Sequence, residues 1–357
     1  SATDTQVYSI DTVLPVPTLT IDDITADNIL NATEAGTTIA VTGTVGGDFN
    51  TGDTVTLTVD GTDYTGTVEK GGTYSINVPG SALSADTDTT VDGSVTTTDG
   101  SGNSASATDT QLYSVDTASP VPVLSIDDIT TDNVLNAAES GTTIPVTGTV
   151  GGDFNTGDTV TLIVDGTDYT GTVEKGGTYS INVPGSALSA DTDVTVDGSI
   201  TTTDASGNTA IATDTQLYIV DTVLPVPSIS IDDITADNIL NAAESVTAIP
   251  VTGTVGGDFN TGDTVTLTLD GTDYTGTVEK GGTYSINVPG SALSADTDVT
   301  VDGSVTTTDG SGNSASATDT QVYSIDTVLP VPTLTIDDIT ADNILNATEA
   351  GTTIAVT

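Results

Sequence analysis

The sequence repeats itself every 105 residues, and this period limits the fold more than any other feature. The run Ile-Asp-Asp-Ile-Thr-x-Asp-Asn-x-Leu-Asn-Ala-x-Glu places its first aspartate at Asp22, Asp127, Asp232 and Asp337. Near-identical copies of this length call for a series of small similar domains rather than one large core. Pro15, Pro120, Pro225 and Pro330 mark equivalent points. The predicted copies are therefore 15–119, 120–224 and 225–329, with residues 1–14 the last strand of a preceding copy and 330–357 the first part of a further one. On this reading both ends stop inside a repeat, and the chain is a piece of something longer.

Within one copy, Leu19 and Ile21, then Ile39, Val41 and Val45, then Val55, Leu57 and Val59, then Tyr74, Ile76 and Val78 alternate with Thr, Ser and Asp. Period-two alternation broken by Gly, Asn and Asp clusters predicts antiparallel strands. About seven strands are expected per copy, at roughly 17–22, 37–45, 54–60, 63–69, 73–78, 90–98 and 104–115. The fold class is all-β: tandem immunoglobulin-like sandwiches in an extended rod, each of about 100 residues. No segment shows helical periodicity, and no run of 18 apolar residues could form a membrane helix. The Pro15-Val16-Pro17 connector is short and stiff, since each proline fixes a backbone angle and removes a donor.

Charge narrows the function. The chain carries 51 acids against three bases, a formal charge of −48. Nucleic acid and anionic membranes need a positive patch, so neither is an expected partner, whereas cations are. Only 15% of residues are charged and the apolar alternation is regular, which favours folding over disorder. Cysteine is absent, so a small sandwich with few aromatics needs another staple.

Calcium suits the available donors. It takes six to eight hard oxygens and tolerates irregular loops, while zinc, copper and iron prefer the nitrogen and sulfur of residues this chain lacks. Counted from Asp23, oxygen side chains fall at loop positions 1, 5, 6, 9 and 12, the last being Glu34. That spacing matches part of an EF-hand, without the turn glycine or the helices. The plainer reading is a solvated crossover in which Thr25, Asp27 and Asn28 cap their own backbone in a short helical turn. For the turn Asp99-Gly100-Ser101-Gly102-Asn103, metal site and ordinary tight turn stand level.

If successive strands run up and down, the loop from Asp22 to Glu34 and the turn Asp86-Thr87-Asp88 fall at one pole of each sandwich. The loop 46–53 and the turn 99–103 then fall at the other. Stacking two copies brings the first set of acids towards the linker residue Asp116 and the acids Asp153, Asp158 and Asp204 of the next copy. Each copy has 13 Asp and 2 Glu against 1 Lys. Such a junction repels itself within the Debye length of about 8 Å unless divalent cations cross-link it.

No enzyme is expected. Lys70 tips a hairpin with no base or cofactor motif beside it, and paired carboxylates without a cleft or sugar-stacking aromatics do not make a glycosidase. No small-molecule substrate is expected either. Val246 stands where Gly36 and Gly141 sit, so that position needs no left-handed backbone.

Taken together, the Asp-Thr-x-x-Pro linkers, the Asp-Asp-Ile-Thr loop and the Asp-x-Ser-Gly-Asn turn resemble the bacterial immunoglobulin-like extender repeats of giant RTX adhesins, the ice-binding kind in particular. The likeness covers the whole chain. It implies secreted, calcium-rigidified spacers at the bacterial cell surface that hold a distal binding domain away from the cell. Their partners would be neighbouring repeats of the same polypeptide in a monomeric rod, with no membrane insertion.

By the same resemblance the calcium ligands are the linker and pole acids. These are Asp11, Asp22, Asp23, Asp27, Glu34, Asp99 and Asp116 with their equivalents: Asp127, Asp128, Asp132, Glu139, Asp204 and Asp221 in one copy, Asp232, Asp233, Asp237, Glu244, Asp309 and Asp326 in the next. Asp337, Asp338, Asp342 and Glu349 repeat the loop set once more. The alternative function is a directly adhesive or carbohydrate-binding array, which predicts an exposed aromatic or a loop that differs in a purposeful way between copies; the sequence points to neither.

Overall fold

The computed structural model describes residues 3–357. It divides into two compact units, the first ending at Val220 and the second running from Asp221 to Thr357. The first unit contains two copies of one double-sheet arrangement and the second contains one.

The first copy runs β1 (Pro17–Ile21), β2 (Ile29–Leu30), α1 (Ala32–Ala35), β3 (Thr38–Gly47), β4 (Thr54–Val59), β5 (Thr62–Thr67), β6 (Thr73–Pro79), α2 (Gly80–Ala85), β7 (Thr90–Thr98), β8 (Ser104–Leu112) and β9 (Ser114–Val115). One antiparallel sheet has the order β1-β3-β6 and the other β5-β4-β7-β8. The alternation in sequence becomes alternation in burial. In β4, Val55, Leu57 and Val59 point inward, and in β6 Tyr74, Ile76 and Val78 do the same. A side chain such as Leu57, fully enclosed, contributes about 2 kcal/mol of hydrophobic stabilisation. The β4–β5 hairpin turns through Asp60 and Gly61, both at positive φ (44° and 73°), the two-residue turn whose twist matches a hairpin.

The sheets recur as Pro122–Ile126, Thr143–Gly152 and Thr178–Pro184 opposite Thr167–Thr172, Thr159–Val164, Thr195–Thr203 and Thr209–Leu217. In the second unit they are Pro227–Ile231, Ala248–Gly257 and Thr283–Pro289 opposite Thr272–Thr277, Thr264–Leu269, Thr300–Thr308 and Ser314–Val322. Each copy has its own apolar core. The expected immunoglobulin-like sandwich is therefore present three times, with its strands close to the ranges read from sequence.

Three features differ from the sequence reading. Two short helices form where none was expected. α1 is one turn held by a capping box, in which Asn31 Oδ1 accepts from Glu34 N–H and Glu34 Oε2 accepts from Asn31 N–H, both at 3.0 Å. α2 packs on α1, and a Cβ on Gly80 would overlap the carbonyl oxygen of Glu34. At four and six residues these helices are too short to imprint a period of 3.6.

The second difference is the parallel pair β2·β9, two residues long, which ties the acidic loop to the end of the last strand. Third, residues 3–14 and those beyond Asp326 contain no strand. The equivalent segments elsewhere are strands because ladder partners from the same copy lie beside them. The backbone at Gly36 and Gly141 is right-handed (φ −82° and −86°), in keeping with Val246 at the third equivalent position.

Candidate metal centre at the repeat junction

The first unit contains one complete junction between copies. Asp116 closes the first copy, its N–H donating to Leu30 O at 3.0 Å, and its Oδ1 accepts from Ala118 N–H at 3.1 Å to start the linker. The Asp204–Asn208 turn of the second copy comes up to meet it. Ser206 Oγ donates to Asp116 Oδ2 at 2.8 Å, and Asn208 Nδ2 donates to Asp116 O at 2.9 Å and to Asp204 Oδ2 at 3.0 Å.

Asn208 also reaches back into the first copy, where its Oδ1 accepts from Ala32 N–H at 2.8 Å, the first amide of α1. One amide side chain, 3% exposed, thus joins the linker, its own turn and the preceding sandwich. At Asp11, which begins the first linker, the same contacts are looser: Ser101 Oγ donates at 3.0 Å and Asn103 Nδ2 at 3.4 Å. At Asp221, Ser311 and Asn313 reproduce them at 2.7 and 2.9 Å.

Behind each linker lies an open cleft walled by three acids. Asp116, Asp153 and Asp204 line one of about 460 Å³; Asp11, Asp48 and Asp99 line one of about 390 Å³; Asp221, Asp258 and Asp309 line one of about 400 Å³. The middle acid of each set was placed at this pole from sequence but was not among the expected ligands. Its signature is a bond over 32 residues, as in Asp153 Oδ2 accepting from Val121 N–H at 3.0 Å. Asp204 is held below the usual carboxylate range, first by the Asn208 side chain and then by the amides of Asn208, Ser206 and Gly207. It is therefore ionised wherever the protein is folded near neutral pH. Asp99 and Asp309 are held low by the same turn.

The acidic loop is arranged differently from a cage. Asp22, Asp127 and Asp232 each accept from a threonine of β3 or its counterpart at 2.7 Å, while Asp337 accepts from Thr357 at 3.4 Å. Asp23, Asp128 and Asp233 accept from Gln111, Gln216 and Gln321 at 3.1, 3.0 and 3.2 Å. Asp27, Asp132, Asp237 and Asp342 cap their own turns through the amides of Ile29, Val134, Ile239 and Ile344. That amide and the Thr25 hydroxyl hold Asp27 below the usual carboxylate range.

Glu34, Glu139, Glu244 and Glu349 each fold back on the asparagine three residues earlier. Asp232, Asp233 and Glu244 nonetheless share a cleft of about 720 Å³. Asp326 caps Val328, and Asp338 lies exposed on the last loop. Among the described residues, no three acids converge tightly enough to form a ready metal cage. The donor chemistry, all carboxylate, amide and carbonyl oxygen, fits a hard divalent cation. Asp116 Oδ1, Asp116 Oδ2 and Asp153 Oδ2 each accept one bond and keep a second lone pair, whereas Asp204 Oδ1 accepts two, from Ser206 N–H and Asn208 N–H.

No family profile and no curated protein matches the chain. Solved structures do. One, described as a Ca2+-stabilized adhesin that helps an Antarctic bacterium reach out and bind ice, is 41% identical, covers 97% of this chain and 82% of its own, and superimposes with a TM-score of 0.83. Another, from a 1.5-MDa bacterial ice-binding adhesin and concerned with host cell surface retention, is 39% identical over 89% of this chain and 100% of its own, with a TM-score of 0.63.

Proposed function

The chain belongs to the family of bacterial ice-binding adhesin repeats, and from that premise we propose that it is a calcium-stiffened spacer of a large secreted cell-surface adhesin. Its role is to hold a distal binding domain away from the cell. Reach, rather than chemistry, is its contribution.

The observation that carries this reading is the junction built on Asn208. Two sandwiches are joined by a buried amide and a linker aspartate, with Asp153 and Asp204 beside them and no base to balance the charge. Calcium would neutralise these carboxylates and bind them to one another. Asp116, Asp153 and Asp204 would hold the ion at this junction, as would Asp11, Asp48 and Asp99, and Asp221, Asp258 and Asp309, at the equivalent clefts. Asp22, Asp23, Asp27 and Glu34 with their equivalents would supply further weak sites facing the neighbouring copy. Residues 15–119, 120–224 and 225–329 would act as the mechanical units, with 1–14 and 330–357 carrying parts of the same repeat pattern.

Small-angle scattering tests this directly. Calcium should raise the maximum dimension and sharpen the features of a stiff chain, and chelator should reverse both. Identical profiles in calcium and chelator would refute the stiffening role.

A further inference from the structure

The dipeptide Asp-Gly occurs eight times in the chain, and the fold holds these pairs unequally. It is the most labile of aspartyl sequences, because glycine puts no side chain in the way of its own nitrogen and its backbone turns freely. That nitrogen can attack the carboxyl carbon of the aspartate before it. Whether it does so depends on how each pair is fixed.

Five of the eight are locked. Asp92-Gly93, Asp197-Gly198 and Asp302-Gly303 lie inside β7 and its counterparts, laddered on both sides. Their carboxylates accept from Thr110, Thr215 and Thr320 of the neighbouring strand at 2.6 Å. Gly93 also faces the core so closely that a Cβ there would stand 2.9 Å from Ile21 and 3.0 Å from Leu19. Asp99-Gly100 and Asp309-Gly310 lie in turns, but Asp99 Oδ1 accepts from Ser101 N–H and Asn103 N–H, both at 2.9 Å. Its Oδ2 accepts from Asn103 Nδ2 at 2.9 Å, and Asp309 is held in the same way.

The remaining pairs are free to react. Asp60-Gly61, Asp165-Gly166 and Asp270-Gly271 form the two-residue turn between β4 and β5 and its counterparts, closed by Val59↔Thr62, Val164↔Thr167 and Leu269↔Thr272. Both residues of each tip are exposed, and nothing lies within 4 Å of where a Cβ would stand on the glycine. The aspartates have φ of 44°, 46° and 47°, outside the range an L-residue prefers. Among the described residues only the third carboxylate has a donor, Thr297 Oγ1 at 3.2 Å from Asp270 Oδ1. Rotating such a tip disturbs the turn alone, whereas rotating Gly93 parts β7 from β4 and β8.

We propose that Asp60, Asp165 and Asp270 are modification sites at which aspartate converts spontaneously to isoaspartate. The Gly61 nitrogen attacks Cγ of the protonated Asp60 carboxyl. The N–Cγ bond forms, the Cγ–OH bond breaks, and the hydroxyl leaves with the amide proton as water, giving a cyclic imide. Water then adds at the former main-chain carbonyl carbon, and the bond from that carbon to the Gly61 nitrogen breaks. The chain now runs through Cβ and Cγ, with its mass unchanged and water the only co-reactant. The extra backbone carbon spoils the match between turn and strand twist, so the β4–β5 hairpin loosens as the rod ages.

Trypsin can cut this chain only after Lys70, Lys175 and Lys280, which puts the tips in separate peptides, 1–70, 71–175 and 176–280. Peptide 281–357 carries Asp302-Gly303 and Asp309-Gly310 but no tip, and serves as the control. The full chain is aged in warm neutral buffer, then unfolded, digested and labelled by an isoaspartyl methyltransferase with a radioactive methyl donor. Electron-transfer fragmentation assigns the label to individual Asp-Gly bonds. Label should enter at Asp60 at least about ten times faster than at Asp302 or Asp309, because opening a turn takes far less free energy than parting a central ladder. Asp270 should lag Asp60, since Thr297 holds its carboxylate.

Asp60→Glu should abolish the label at that position alone, because glutamate would have to close a larger ring that forms more slowly. Should that variant fail to fold, the parent aged in urea decides: the contrast between Asp60 and the control pairs should vanish there. Equal rates at Asp60 and Asp302 in the folded chain, or no label at Asp60 while the urea-unfolded chain acquires it, would overturn the proposal. The tips share no residue with the linker clefts, so this outcome is independent of the calcium-stiffened spacer reading.

Discussion

Replacing Asn208 by alanine is the sharpest perturbation of the junction, because an equivalent residue lacks a preceding sandwich. The Asn208 side chain makes bonds at 2.8 Å to Ala32 N–H, 2.9 Å to Asp116 O and 3.0 Å to Asp204 Oδ2. Asn103 makes one comparable bond, at 2.9 Å to Asp99 Oδ2, and a long one at 3.4 Å to Asp11 O. The difference is two good hydrogen bonds that depend on the junction. At about 1 kcal/mol net each, Asn208→Ala should cost about 2 kcal/mol more than Asn103→Ala.

The local effect is on Ala32, whose amide loses its acceptor. With about 1.4 kcal/mol per factor of ten, its hydrogen exchange should quicken roughly five- to tenfold in Asn208→Ala and stay unchanged in Asn103→Ala. Both variants should be compared in chelator, so that ion binding does not offset the loss, with residues 225–329 as the internal standard. Equal costs for the two substitutions, or an Ala32 amide that exchanges as before, would refute the claim that Asn208 fastens one sandwich to the next.

Other consequences follow from single contacts. Tyr113→Phe removes the buried bonds to Leu83 O at 2.7 Å and Asp86 Oδ2 at 3.0 Å, and should cost about 1–3 kcal/mol in urea unfolding of the first sandwich. Gly80→Ala drives a methyl into Glu34 O where α1 and α2 meet, and should cost about 1–3 kcal/mol with loss of exchange protection confined to those helices at first. The depressed carboxyls of Asp27, Asp99 and Asp204 set a pH dependence. Their ordinary value is 3.8 and the folded value lies lower, so their contribution is complete above the unfolded pKa and is lost as pH falls through the folded one. Urea midpoints measured in chelator should be level from pH 7 to pH 5 and drop below about pH 4.

The strands were legible because both faces of each sheet obey one rule: Val55, Leu57 and Val59 go in, and Thr54, Thr56 and Thr58 face out or partly out. The helices were not, since Ala32–Ala35 and Gly80–Ala85 are held by a capping box and by the close approach at Gly80, which are contacts rather than periods. For the site, the poles could be assigned from strand count alone, and Asp116 and Asp204 do meet there. The part played by Asn208 could not be, because its acceptor Asp116 O is 92 residues away and its donor Ala32 N–H is 176 residues away. Asp86 was visible as a turn acid, but its burial depends on Tyr113 closing over it from the far end of the fold.

The central claim is that calcium drawn to the linker acids stiffens the junction between sandwiches. Because the chain contains no cysteine, spin labels at Thr65→Cys and Thr170→Cys, both exposed on the fifth strand of their copies, report one distance across the Asp116 junction. Pulsed dipolar spectroscopy should show a broad distribution in chelator and a narrow one in calcium, and Asp116→Asn with Asp153→Asn and Asp204→Asn should leave it broad in both. A distribution equally narrow with and without calcium, or narrowed by calcium in that triple variant, would contradict the account.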